Sequence, residues 1–224
     1  VNQLESFDAD QLAEEISASV AALPDSTVTS LRRIRREVSK RIATADAHSV
    51  IRLALALIEK PGLRWVAYEL INQHQAAGNH LNAETLRQLG QGIESWDTVD
   101  PFSVYLVGPA WRKRQVPDSL IHAWAQSDNR WWRRTALAST VALNNKARGG
   151  SGDVPRTLQV CRLLADDPDD MVVKALSWAL RELVKHDAGA VAQFLGEYDS
   201  VLATRIKREV RNKLSTGLKN PRRN

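Results

Sequence analysis

The same kind of helix opening recurs along this chain. Gly62-Leu63-Arg64-Trp65-Val66, Asp128-Asn129-Arg130-Trp131-Trp132 and Asp169-Asp170-Met171-Val172-Val173 each place a turn signal ahead of an apolar helical face. No segment alternates apolar and polar residues as a half-buried strand would. The chain is therefore restricted to helices, and the spacing of the openings indicates that the helices come in pairs.

Reading in order, Leu12, Ile16 and Val20 lie four apart behind Asp8 or Asp10, which predicts a helix over 8–22. Pro24-Asp25-Ser26-Thr27 breaks it. A second helix over 28–43 puts Leu31, Ile34, Val38 and Ile42 on one side and arginines on the other. Asp46 opens a third, apolar around most of its girth, which Pro61-Gly62 ends. A fourth covers 63–74, a polar connection 75–80, and a short helix 83–90. Pro101 fits a helix only in its first turn, so the next is expected to start near Asp97, with Asp97 as N-cap and Gly108-Pro109 as its stop. Further helices are expected over 117–125, 129–143, 154–165, 169–185, 188–198 and 201–216. The Gly- and Ser-rich stretch 144–155 reads as a flexible loop.

Helix pairs with a period of about 35–45 residues are the mark of HEAT- or armadillo-type solenoids, in which each pair needs its neighbours to bury its apolar face. The expected fold is all-α: a right-handed solenoid of HEAT-like antiparallel helix pairs with a concave basic groove. We expect a single domain over 1–224, with a variable acidic N-terminal helix in 1–27 and a frayed basic tail over 217–224. The one cysteine, Cys161, has no thiol to pair with, and no apolar run is long enough for a membrane span. These features predict a soluble cytoplasmic protein, a monomer without membrane association.

Charge is unevenly distributed. Residues 1–30 hold six acidic residues and no Lys or Arg, so of the net +5 the rest of the chain carries +11. Three clusters supply it: Arg32, Arg33, Arg35, Arg36, Lys40 and Arg41; Arg112, Lys113, Arg114, Arg130, Arg133 and Arg134; and Arg205, Lys207, Arg208, Arg211, Lys213, Arg222 and Arg223. Separated basic clusters on a helical stack suit a polyanion, although any one of them could be an ordinary solvated face.

Within Ser95-Trp96-Asp97-Thr98-Val99-Asp100, Trp96 and Asp100 lie four apart and share a helix face. An indole and a carboxylate aimed the same way suit a site where positive charge develops on a planar substrate. A helix cap and a rim tryptophan would look the same in sequence. Trp111 and Trp124 read as core, and Trp131-Trp132 as divided between core and rim. The five histidines lie on separate segments without metal-ligand spacing, and neither a metal nor a cofactor is expected.

Three stretches resemble the HEAT-like-repeat DNA alkylation repair glycosylases, the AlkD-like family. Ser95–Asp100 is similar to that family's Trp-Asp-x-Val-Asp element, Asp128–Ala136 to its Asp-Asn-x-Trp-x-x-Arg segment, and Lys174–Glu182 to its Lys-Ala-x-x-Trp-x-Leu-Arg-Glu helix. The similarity covers roughly residues 30–215. It departs from the family at Ser95, where an aromatic is usual, at Leu23–Thr27, which replaces an aromatic-and-Gly segment, and at the longer 148–153 insertion.

The resemblance implies that Asp100 is the catalytic carboxylate, that Trp96 and Trp178 are aromatic walls of a lesion site, and that Arg134 contacts the DNA backbone there. With the basic clusters and matched segments it makes Arg134, Arg133, Arg130, Trp131, Arg35, Lys174, Arg208 and Arg211 the candidate contacts to double-stranded DNA. The implied activity is hydrolysis of the N-glycosidic bond of cationic N3- or N7-alkylated purines. Such a base leaves without protonation, so an anion beside an oxocarbenium-like sugar is the main requirement. The rival expectation is a non-catalytic HEAT scaffold that binds DNA structures or an acidic protein, with Asp100 as a cap.

Overall fold

The computed structural model describes residues 7–25 and 27–221, and every regular element among them is helical. Ser26, Arg222 and Arg223, and Glu5 among the six acidic residues of 1–30, lie outside the described residues. The chain divides into two compact units, one ending at Gly92 and the other beginning at Ile93.

The first unit contains α1 (Ala9–Ala21), α2 (Val28–Arg41), α3 (Ala47–Ile58), α4 (Arg64–Gln73), α5 (Gln75–His80) and α6 (Ala83–Leu89). Helix α3 is its centre and packs on α1, α4, α5 and α6. Val50, Leu53, Ala54 and Leu57 are wholly buried, as expected from a helix apolar on nearly all sides. Each fully buried Val or Leu favours the folded state by about 1.5–3 kcal/mol. Side-chain oxygens of Asp8, Thr27, Asp46 and Asn82 accept backbone N–H groups at the starts of α1, α2, α3 and α6. Residues 75–80 are not the connection their polarity suggested. They form α5, because His74 Nδ1 accepts from Ala77 N at 3.1 Å as an N-cap and Ala77 is wholly buried.

The second unit contains α7 (Trp96–Pro101), a π-helical stretch (Phe102–Val107), α8 (Gly108–Arg112), α9 (Asp118–Ala125), α10 (Arg130–Asn144), a 3₁₀ turn (Lys146–Arg148), α11 (Val154–Leu163), α12 (Asp170–Leu183), α13 (Ala188–Glu197) and α14 (Thr204–Thr216). Helix α10 packs on α7, α8, α9, α11 and α12, and α12 packs in turn on α14. Every residue of α10 from Arg134 to Asn144 is buried. Trp111 is wholly buried, and its Nε1 donates to Asp118 Oδ1 at 2.7 Å. Trp124 is buried against Phe102 and Trp132, so the core reading of both tryptophans holds.

Around Pro101 the structure departs from the sequence expectation. The helix starts at Trp96 behind an extended Ser95, so Asp97 lies in the first turn and is not the N-cap. Pro101 then falls beyond the first turn, and Gly108-Pro109 does not stop the run, which continues into α8. Both prolines withhold a backbone donor, and each ring crowds the carbonyl four residues back. The wider π turn lies between them, spans the carbonyl four residues before Pro109 and re-pairs the backbone there, as in the Gly108 N–H to Ser103 O contact. Gly108 has a second purpose: a Cβ there would lie 2.5 Å from Ala142 Cβ and 2.6 Å from Ser139 O. Its lack of a side chain lets α8 lie directly against α10.

The 144–155 stretch is also not the loose linker its composition suggested. Asn144 is wholly buried, donates to Thr140 O and Thr157 Oγ1, and accepts from Asp153 N at 3.0 Å. Gly152 N donates to Leu143 O, and Arg112 donates to Ala142 O at 3.0 Å and to Arg148 O. The Gly150 position would bring a Cβ to 2.7 Å from the Leu143 backbone. The glycines are here for close approach, not for flexibility.

Candidate functional site

The functional candidates of the second unit are held by α7, α10, α12 and α14. Capping fixes where two of these helices begin: Asn129 Oδ1 accepts from Trp131 N, and Asp169 Oδ1 from Met171 N, both at 2.8 Å. Those caps set the rotation at which Arg134, Lys174 and Trp178 emerge. Asp100, Arg134, Lys174 and Trp178 line one open cleft of about 480 Å³, together with Arg181, Arg205, Glu209 and Lys219.

Asp100 and Arg134 form a bidentate pair: Nε donates to Oδ1 at 2.9 Å and Nη2 to Oδ2 at 2.8 Å. The third guanidinium nitrogen, Nη1, donates to Met171 O at 2.6 Å, so Arg134 joins α7 to the start of α12. Arg134 is only 6% exposed, and three of its five N–H groups are engaged. Burial raises the Asp100 carboxyl above its ordinary 3.8, the Arg134 hydrogen bond and charge pull it down, and Asp97 adds a small upward push. Burial outweighs the pairing. What holds the negative charge here is Arg134.

The other expected site residues divide by environment. Trp178 is half-buried in the cleft wall, whereas Trp96 is 57% exposed one turn before Asp100 and does not line that cleft. Lys174 bonds Asp170 at 2.6 Å and stays accessible. Arg133 is committed internally, to Asp167 Oδ2 at 2.6 Å and to the carbonyls of Ser127 and Asp128. Arg130 lies over the Trp131 ring at 4.7 Å and reaches Asp169 at 3.4 Å, while Trp131 itself is buried. Arg208 and Arg211 are exposed on α14, the latter paired with Asp199 at 2.8 Å. Arg35 belongs to the first unit, where its Nε donates to the buried Glu69 at 3.1 Å.

Sequence reasoning singled out no functional role for Arg181, Arg205, Glu209 or Lys219. Arg181 lay inside a quoted motif and Arg205 inside a basic cluster, so both carried a usable signal. Glu209 carried none, being a lone acid among the arginines and lysines of α14. Among the described residues no group of three or more His, Cys, Asp or Glu is placed to hold a metal ion. No helix among them is long and apolar enough to cross a membrane.

The second unit is thus helical, with a cation-rich cleft around a half-buried carboxylate held by an arginine. The model of the family described as DNA alkylation repair enzyme matches residues 26–214, and the chain belongs to that family. No curated protein and no solved structure matches the chain. Its role thus lies in the repair of alkylated DNA, with DNA as the substrate.

Proposed function

We propose that this protein is a DNA glycosylase that hydrolyses the N-glycosidic bond of cationic N3- or N7-alkylated purines in duplex DNA. The observation that carries the reading is the Asp100 carboxylate, held at two points by Arg134 in the cleft that Trp178 lines. Membership in the alkylation repair family supports it.

In this mechanism the bond between the anomeric carbon and the base nitrogen breaks, and its electron pair leaves with the base. The base, cationic before cleavage, departs neutral and needs no acid. Water adds to the anomeric carbon and loses its proton to Asp100 or to solvent. Asp100 stabilises the oxocarbenium-like sugar, an interaction stronger in the transition state than in the ground state. Trp178 and Trp96 offer indole faces to the cationic nucleotide, Trp96 from an exposed position that a bound duplex would cover. The two unengaged N–H groups of Arg134 are available to a phosphate oxygen. The helical pairing within each unit is compatible with a HEAT-like solenoid whose concave groove is basic, the surface on which the duplex would lie.

Release of 7-methylguanine from methylated duplex DNA, by the wild type and by Asp100→Asn, tests the reading. Release by the wild type that falls about 100-fold or more in the variant is the expected result. Equal release by both would remove Asp100 from the chemistry. The Asp100–Arg134 pair also ties α7 to α10, which is what a non-catalytic scaffold would want of it; absence of release by both proteins would favour that reading.

A further inference from the structure

The same cleft holds a second acid whose partners are arranged differently. Glu209 of α14 is 5% exposed, and Arg181 and Lys219 line the cleft beside it. Its one short contact is with a neutral donor: Ser177 Oγ donates to Oε2 at 2.7 Å. The cations stand further off, with Lys219 Nζ at 3.5 Å and Arg181 Nε at 3.8 Å from Oε2, and Arg208 Nη2 at 4.0 Å from Oε1. A committed charge-assisted bond of this kind is about 2.7–2.9 Å long, the range in which Arg134 holds Asp100. The cations around Glu209 are therefore gathered by its field and not fastened by hydrogen bonds, so little contact is lost when they change partner.

Two further features set them in place. Arg181 Nε donates to Ser177 Oγ at 3.2 Å, one turn from Trp178 on the same helix. Lys219 reaches the cleft because Gly217, at φ 74°, turns the chain after α14, and Asn212 Nδ2 donates to Lys219 O at 3.0 Å. Without an anion between them, Arg181 and Lys219 would repel each other across a partly desolvated edge.

We infer that Glu209 is the resting counter-anion of this cleft edge, holding Arg181 and Lys219 together in free protein and yielding them to a backbone phosphodiester when duplex DNA binds. The inference rests on the DNA-binding part of the function proposed above. A phosphodiester brings the same charge with better exposed oxygens. Breaking the Glu209 contacts subtracts from the binding free energy, which restrains retention on undamaged DNA.

Glu209→Gln removes the charge and keeps both the shape and an acceptor for Ser177. Equilibrium binding to an undamaged duplex, titrated against salt, reads the effect. The variant is expected to bind about three- to tenfold tighter at low salt, with the log K against log salt slope steeper by up to about 0.9, because in the wild type the Glu209 charge left behind takes up a salt cation as its partners move to phosphate. Lys219→Met alters an exposed side chain and stays informative even if the Gln variant fails to fold; it is expected to flatten that slope. A Glu209→Gln protein with wild-type affinity and slope, a Lys219→Met protein with an unchanged slope, or a wild type that does not bind duplex would each overturn the inference. If the binding changes appear but no methylated base is released, the glycosylase reading fails and the role of Glu209 stands.

Discussion

Arg134 holds Asp100 with two parallel hydrogen bonds, at 2.9 and 2.8 Å, across a sequence separation of 34 residues. The pair is partly desolvated, so the carboxylate stays fixed in direction but is made harder to ionise. Its titration should therefore be visible in both rate and stability.

If Asp100 has the proposed role, base release should fall on the acid side with an apparent pKa above the ordinary 3.8 of an aspartate, because burial raises Asp100 and that role requires its ionised form. For stability the sign is opposite to that of a capping carboxylate. The raised folded-state value means that Asp100 contributes most below 3.8, and that this contribution is lost as pH rises through the folded value. Chemical denaturation of wild type and Asp100→Asn across this range should show the wild type losing ground relative to the variant as pH increases. A flat difference would contradict it.

Trp96→Ala should separate function from folding. The indole is 57% exposed, so the thermal midpoint should shift by an amount equivalent to no more than about 0.5 kcal/mol. Release of 7-methylguanine should nonetheless drop at least several-fold, as measured under single-turnover conditions, since the mutation removes an aromatic face and leaves the core intact.

Gly108→Ala should be destabilising by about 1–3 kcal/mol or more, although Ala is ordinarily the better helix residue. The new Cβ would lie 2.5 Å from Ala142 Cβ and 2.6 Å from a backbone oxygen that cannot move aside without shifting α10. Urea unfolding of the purified variant measures the cost; wild-type stability would mean that α8 and α10 can part freely.

Asn144→Ala should cost about 2–3 kcal/mol, since it strands the buried Thr157 hydroxyl and Asp153 N–H. It should also release the Gly-rich stretch, making it a preferred cleavage site in limited proteolysis where the wild type resists. Equal resistance would show that the other contacts of the loop suffice.

The sequence alone determined what depends on neighbours within a few turns. Apolar residues at helical spacing gave nearly all of the helices, and Asp46, Asn129 and Asp169 marked starts through the donors they accept. It misjudged α5, where a His74 ring nitrogen caps a helix that looked like a polar connection. Tertiary packing decided the rest. Only packing could show that a π turn carries the chain from Pro101 to Gly108-Pro109, or that the glycines after Asn144 serve close contact with Leu143 and His186. Likewise Arg133 is used up on the Asp167 turn, and Glu209 meets Ser177 32 residues away along the chain. Local pattern specifies which residues a helix presents and where it begins. Whether a presented charge is free, paired or buried depends on which helix lies across from it, and no local period encodes that.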